Sequence, residues 1–274
     1  MNLATPNRPK SGRVVAAWIL ALPMTVCAVD GVTLIDQNKA LAGNVTPGDA
    51  PGFPVTLSQP GSYRLAGTLT VPDAATTAIA IASSFVTLDL NGFSIIGPGN
   101  CDSGRDCPRG EGSGVIARLG FNPLVNIAIR NGSIKGMGSH GIDVDGNAVA
   151  VEQIVARGNG GAGIQIGRAR FGADSRANSV RNSAALNNGL SGIQLDEGLI
   201  SFNVVADNGN SGIFLNRGSV SNNVVTANRN KGLDLGGTAG YHGNALIGNG
   251  VGAQGGVNQG QNLCDSAACP GAVF

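Results

Sequence analysis

The strongest constraint on this chain is a short phrase repeated at a fixed step. Glycine, an aliphatic residue, any residue and a second apolar residue occur in that order as Gly141-Ile142-Asp143-Val144, Gly163-Ile164-Gln165-Ile166 and Gly192-Ile193-Gln194-Leu195. The phrase returns as Gly212-Ile213-Phe214-Leu215 and Gly232-Leu233-Asp234-Leu235, with a weaker copy at Gly114-Val115-Ile116-Ala117. From Gly192 to Gly212 to Gly232 each step is twenty residues; from Gly141 to Gly163 it is twenty-two. The longer step from Gly163 to Gly192 predicts a loop inserted near Arg168 to Ala177. Two further columns keep the same phase. Asn159, Asn188, Asn208 and Asn228 stand four residues before a repeat glycine, and Asn203, Asn223 and Asn244 each precede an apolar segment.

A unit of about twenty residues holding short alternating strands cannot bury a face alone. Wound into a coil and stacked, each strand pairs in parallel with its counterpart about 4.8 Å away. The alternation puts Ile142 and Val144 inside, and Asp143 and Asp145 outside. A parallel sheet covered on both faces by helices would instead show continuous apolar runs. Equivalent asparagines at the turns predict a stacked amide ladder, and glycines there predict positive φ. The expected fold is therefore all-β, a parallel β-helix of about seven coils. Composition agrees. The chain has 44 glycines and only 13% charged residues, against about 25% in an ordinary domain.

The first residues read as an export signal. Arg8, Lys10 and Arg13 precede an apolar run from Val14 to Val26, and Val26-Cys27-Ala28 offers a cleavage point after Ala28. The run is too short to anchor in a bilayer, so no transmembrane segment is expected in the mature chain. Cys27 is the alternative acylation point, against which Val26 stands where a small residue is expected. We divide the chain into 1–28, the signal; 29–84, an N-terminal cap and first strands; 85–249, the β-helix repeats; and 250–274, a C-terminal cap. The stretch from Gly97 to Gly112 reads as a long loop hanging off the coil. Four cysteines remain after cleavage. An even count in an exported chain reads as disulfides, and proximity favours Cys101–Cys107 and Cys264–Cys269. A zinc site would need nearby imidazoles, and neither His140 nor His242 lies beside a cysteine pair. No metal or cofactor is expected. With 18 basic and 17 acidic residues spread along the chain, nothing marks a nucleic-acid partner.

Several segments have a familiar look: Gly48-Asp49-Ala50-Pro51-Gly52-Phe53-Pro54-Val55, then Gln59-Pro60-Gly61-Ser62-Tyr63-Arg64-Leu65, then Leu88-Asp89-Leu90-Asn91-Gly92-Phe93, then the glycine repeats. Over residues 48–262 the chain resembles bacterial right-handed β-helix repeat proteins of the pectin-lyase-like superfamily. The resemblance implies right-handed winding. It does not imply one activity, because that superfamily holds lyases, hydrolases, epimerases, tailspikes and proteins without known activity.

A glycoside hydrolase needs two carboxylates about 5 to 9.5 Å apart. Asp143 and Asp145, two apart on one strand, are expected about 6.5 to 7 Å from each other, with His140 at the strand's start. The segment faintly resembles the Gly-His-Gly segment of polygalacturonases, but their Arg-Ile-Lys segment and further aspartates are missing. The simpler reading is a polar, wet sheet face. The outward column Gln165, Gln194, Phe214 and Asp234 has the composition of a shallow sugar-binding stripe. Arg168, Arg170 and Arg176 in the inserted loop have the charge to grip an acidic sugar. Calcium-binding nonapeptides are excluded, since Gly236-Gly237 has no repeating sequel. Two function classes stay open. The favoured one is a non-catalytic exported protein, periplasmic, on the cell surface or secreted, that binds a polysaccharide or serves as a surface or adhesive element. The other is a carbohydrate-active enzyme, a polysaccharide lyase or glycoside hydrolase, acting on an acidic polysaccharide.

Overall fold

A computed structural model describes residues 1, 31–99, 101, 107, 109–118, 123–167, 176–265 and 267–269. The export signal with Cys27, and the loop residues Arg168 and Arg170, lie outside the described residues. Within the unit from Val32 onward the chain winds as a parallel β-helix with three sheets. The first sheet runs through Val55–Leu57, Ile79–Ile81, Val115–Ala117, Ile142–Val144 and Ile164–Ile166. It continues through the opening residues of Ile193–Ser201, Ile213–Ser221 and Lys231–His242 to Val251–Gln254. The second runs from Thr33–Ile35 through Gly61–Leu65 and Val86–Asp89 to the closing residues of the same long strands. The third contains Ser94–Ile96, Ala184–Leu186, Val204–Ala206, Val224–Thr226 and Ala245–Ile247. Among the described strands, only the pairing of Leu263–Cys264 with Ala267–Ala268 is antiparallel.

The aliphatic positions of the repeat form the interior. Ile142, Ile164, Ile193, Ile213 and Leu233 stack in register and are fully buried, as are Val144, Ile166, Leu195 and Leu215. Burial of such side chains contributes roughly 1.5–3 kcal/mol each. The asparagine columns are also internal. Asn188, Asn208 and Asn228 each donate from Nδ2 to the Oδ1 of the asparagine one coil on, at 2.8 to 3.0 Å, and that oxygen also accepts the preceding asparagine's backbone N–H. Asn203, Asn223 and Asn244 repeat the arrangement at the next corner. A polar side chain is tolerated there because every coil supplies its partner to the next.

Positive φ falls at the turns, on the residue before each ladder asparagine: on glycines at Gly158 and Gly243 (φ 63° and 64°), and on other residues at Asn187, Asp207 and Ala227 (54°, 57° and 53°) and at Phe202 and Asn222 (both 56°). The repeat glycine is required by space. A Cβ at Gly212 would lie 2.4 Å from Val225 Cγ1 and 2.7 Å from Asn228 Nδ2. The described ends of the stretch 97–112 lie against the coil: Gly97, Gly99 and Gly110 donate to the carbonyls of Lys135, Gly136 and Gly138, each at 2.8 Å. Disulfides join Cys101 to Cys107 and Cys264 to Cys269, as proximity predicts.

Candidate functional site

Ile142–Val144 and Ile164–Ile166 are buried on both faces, unlike the corresponding segments of later coils. Asp143 is therefore not a wet outward residue: it is 1% exposed. Its carboxylate is ion-paired with the Arg118 guanidinium, and its Oδ1 accepts from Gln165 Nε2 at 3.3 Å. Burial of a carboxylate is tolerated only with such partners. Gln165 is buried as well, so it belongs to this cluster and not to an open stripe. His140 completes the group. The Ala162 N–H donates to His140 Nδ1 at 2.9 Å. A nitrogen accepting that bond carries no proton in the neutral ring, so the hydrogen-bond network places the ring proton on Nε2. That Nε2 lies 3.8 Å from Asp143 Oδ2, an electrostatic approach longer than a hydrogen bond.

Asp145 sits at the edge, with its side chain 37% exposed and its Oδ2 3.8 Å from Arg118 Nε. Its Oδ1 is buried and has no hydrogen-bond partner among the described residues. One guanidinium thus touches both carboxylates of the pair singled out by the sequence. Arg118 was missed by sequence reasoning, although its signal was available. It stands four residues after Gly114, as Asp145 stands four after Gly141, so aligning the weak first repeat puts the two side by side.

The remaining candidates separate. Gln194, Phe214 and Asp234 occupy consecutive coils of one outward column and are half-buried. Lys231 Nζ donates to Asp234 Oδ1 at 2.8 Å, and Asn216 Nδ2 donates to Asp196 Oδ1 at 3.2 Å nearby. The backbone N–H of Arg176 bonds Asn147 Oδ1 at 2.8 Å, which ties the end of the inserted loop to the second sheet. The structure brings His140, Asp143, Asp145 and Gln165 together with Arg118, and leaves the Gln194–Phe214–Asp234 column as a separate surface.

The sequence pattern of the right-handed β-helix region matches residues 111–251, just over half of the 274-residue chain. The chain belongs to the right-handed β-helix family. It is a right-handed parallel β-helix. No curated protein matches this β-helix chain. Among solved structures it is similar to the Dettilon tailspike protein, with TM-score 0.44 and 18% identity, over 72% of this chain and 40% of that one. It is also similar to the A-module of the Azotobacter vinelandii mannuronan C-5 epimerase AlgE4, with TM-score 0.44 and 16% identity, over 74% of this chain and 68% of that one. The β-helix thus spans two-fifths of the tailspike chain. At these identities the likeness concerns the fold alone.

Proposed function

We propose that this β-helix is an exported, non-catalytic glycan-binding protein of the cell envelope or exterior, with the Gln194–Phe214–Asp234 column as its sugar-contacting surface. The observation that carries the reading is the closure of the sheet face around Asp143. Its carboxylate is committed to Arg118 and Gln165, and the His140 Nδ1 lone pair is committed to the Ala162 N–H. A general base needs a free lone pair within reach of the proton it removes. An inverting pair needs room for water between its carboxylates, and here a guanidinium touches both. One coil further the column opens. A ring face at Phe214 flanked by an amide and a carboxylate suits the apolar and hydroxyl-bearing sides of a sugar. Export accords with the two disulfides, which persist in oxidising compartments. No helix among the described residues is long and apolar enough to cross a membrane.

Screening the purified protein against a glycan panel tests this. Binding that falls about tenfold in Phe214→Ala, roughly the worth of one stacked ring, is the expected result. A second reading, a carbohydrate-active enzyme on an acidic polysaccharide, is favoured by one feature: Asp145 has an acceptor oxygen with no partner among the described residues, beside a partly exposed Arg118. Incubation with uronate polymers decides between them. Unsaturated products or new reducing ends that vanish in Asp143→Ala would replace the binding protein by the enzyme.

A further inference from the structure

Charged side chains on this solenoid follow a pattern, and one place breaks it. Down the second sheet, Arg64, Asp89, Arg130, Glu152 and Arg181 are successive register neighbours, alternating in sign over five coils. Glu197 and Arg217 do the same lower down, at 3.2 Å. Opposite charges on neighbouring strands stabilise a sheet and like charges destabilise it. In the third sheet Lys135 and Arg157 are register neighbours. Both are exposed, and neither forms an ion pair among the described residues. They are the like-charged neighbours in the registers of the described strands. They flank a cleft of about 190 Å³ floored by Gly99, Cys101, Gly136 and Gly158.

The same two columns continue into an uncharged apolar face. Val155 follows Ser133, and Leu186 follows Arg157. From Ala184–Leu186 to Ala245–Ile247 the outward positions carry no charge and one hydroxyl, Thr226. Val204 is 48% exposed and Val224 45%, large values for aliphatic side chains in register on a flat sheet. Phe202, 60% exposed, stands at the adjoining corner.

We propose that this face docks onto an anionic lipid surface, with Lys135 and Arg157 at the headgroups and the Val155–Val204–Val224 stripe against the acyl boundary. Interfacial binding grows with buried apolar area plus attraction to anionic lipid, and this face joins the two in line. Other occupants fit less well. From Ala184–Leu186 to Ala245–Ile247 a sugar chain would find no aromatic ring on the strands and only one side-chain hydrogen-bonding group among the outward positions, Thr226. A second copy would cover a stripe about 24 Å long, or roughly 300 Å². That is well short of the roughly 800 Å² per partner of a stable interface. This surface lies on a different sheet from the Gln194–Phe214–Asp234 column, so the two readings stand or fall separately.

Co-sedimentation of the full chain with phosphatidylglycerol and with phosphatidylcholine vesicles tests it. Binding to the anionic vesicles alone, weakened by salt, is expected. Lys135→Gln with Arg157→Gln should reduce it about thirtyfold, the worth of two cations at an anionic leaflet. Val204→Thr with Val224→Thr, which keeps the β-branched shape, should reduce it severalfold while thermal unfolding stays unchanged. Equal binding to both vesicle types, or binding untouched by either double variant, would overturn the proposal. So would binding to dextran sulfate with none to vesicles. A dimer in sedimentation that Val204→Thr with Val224→Thr dissociates would assign the face to a second copy and overturn it as well.

Discussion

Coils built on Gly192, Gly212 and Gly232 and coils built on Gly114, Gly141 and Gly163 share one interior and differ outside it. The later coils repeat every twenty residues, and their outward residues, such as Gln194, Phe214 and Asp234, stay half-buried. The earlier coils vary in length, and their outward residues Asp143 and Gln165 are buried beside Arg118. In the later coils the repeat alone explains almost every residue. In the earlier coils, residues outside the repeat decide what is covered, and a polar cluster forms where the repeat by itself leaves a wet face.

The largest expected effect attacks what the two regions have in common. Asn208 Oδ1 accepts the N–H and Nδ2 of Asn188, and Asn208 Nδ2 donates to Ala185 O and Asn228 Oδ1. Asn208→Ala leaves several buried groups unpaired, each costing roughly 1–3 kcal/mol. We expect a loss of about 4 kcal/mol in denaturant unfolding. A loss below about 1 kcal/mol would mean that the coils stack without their ladder.

The ladder and the aliphatic interior were legible because both repeat. A period of twenty with Asn and Gly in phase leaves few ways to bury Ile193, Ile213 and Leu233 together. The part played by the repeat glycine was not legible. Glycine serves equally for positive φ and for close approach, and only the Val225 and Asn228 atoms beside Gly212 show which applies. The Asp143 cluster was half legible. Its residues His140, Asp143 and Asp145 are adjacent in sequence, but their burial depends on what covers the sheet, and no periodicity reports that. The Lys135–Arg157 pairing was hidden for a related reason: the two are twenty-two residues apart and become neighbours only once the register is known.

A medium effect probes the cluster that sets the earlier coils apart. Asp143→Asn keeps the shape and a partner for Gln165 but removes the charge facing Arg118. That guanidinium is about a third exposed and retains Asp145 at 3.8 Å, so solvent screens most of what it loses. We expect roughly 1–2 kcal/mol by denaturant unfolding, less than for Asn208→Ala, because Arg118 can turn to water whereas Asn188 cannot. A cost equal to that of Asn208→Ala would make the cluster as much a part of the scaffold as the ladder.

The smallest effect concerns the two ends of the stack, where the tyrosines lie. Tyr63 and Tyr241 are nearly buried, at 4% and 3% exposure, in an early and a late coil. Desolvation raises both phenols above their ordinary 10.0, and a hydrogen bond with Asn258 partly opposes this at Tyr241. Desolvation acts because a buried phenolate loses its water. A group with a raised folded pKa binds its proton more tightly in the native state. Its contribution is therefore complete below the ordinary value near 10.0 and is lost as pH rises from there through the raised folded values. Thermal unfolding temperature should fall across that alkaline window as tyrosinate absorbance appears. Tyr63→Phe with Tyr241→Phe should flatten the fall, since these are the two tyrosines of the chain. Hydrogen exchange in the same window should quicken first in Gly61–Leu65 and Lys231–His242. The strands Ile142–Val144 and Ile164–Ile166, which carry no tyrosine, should hold their protection longest. If they open first, the polar cluster and not the ends limits the stack at high pH.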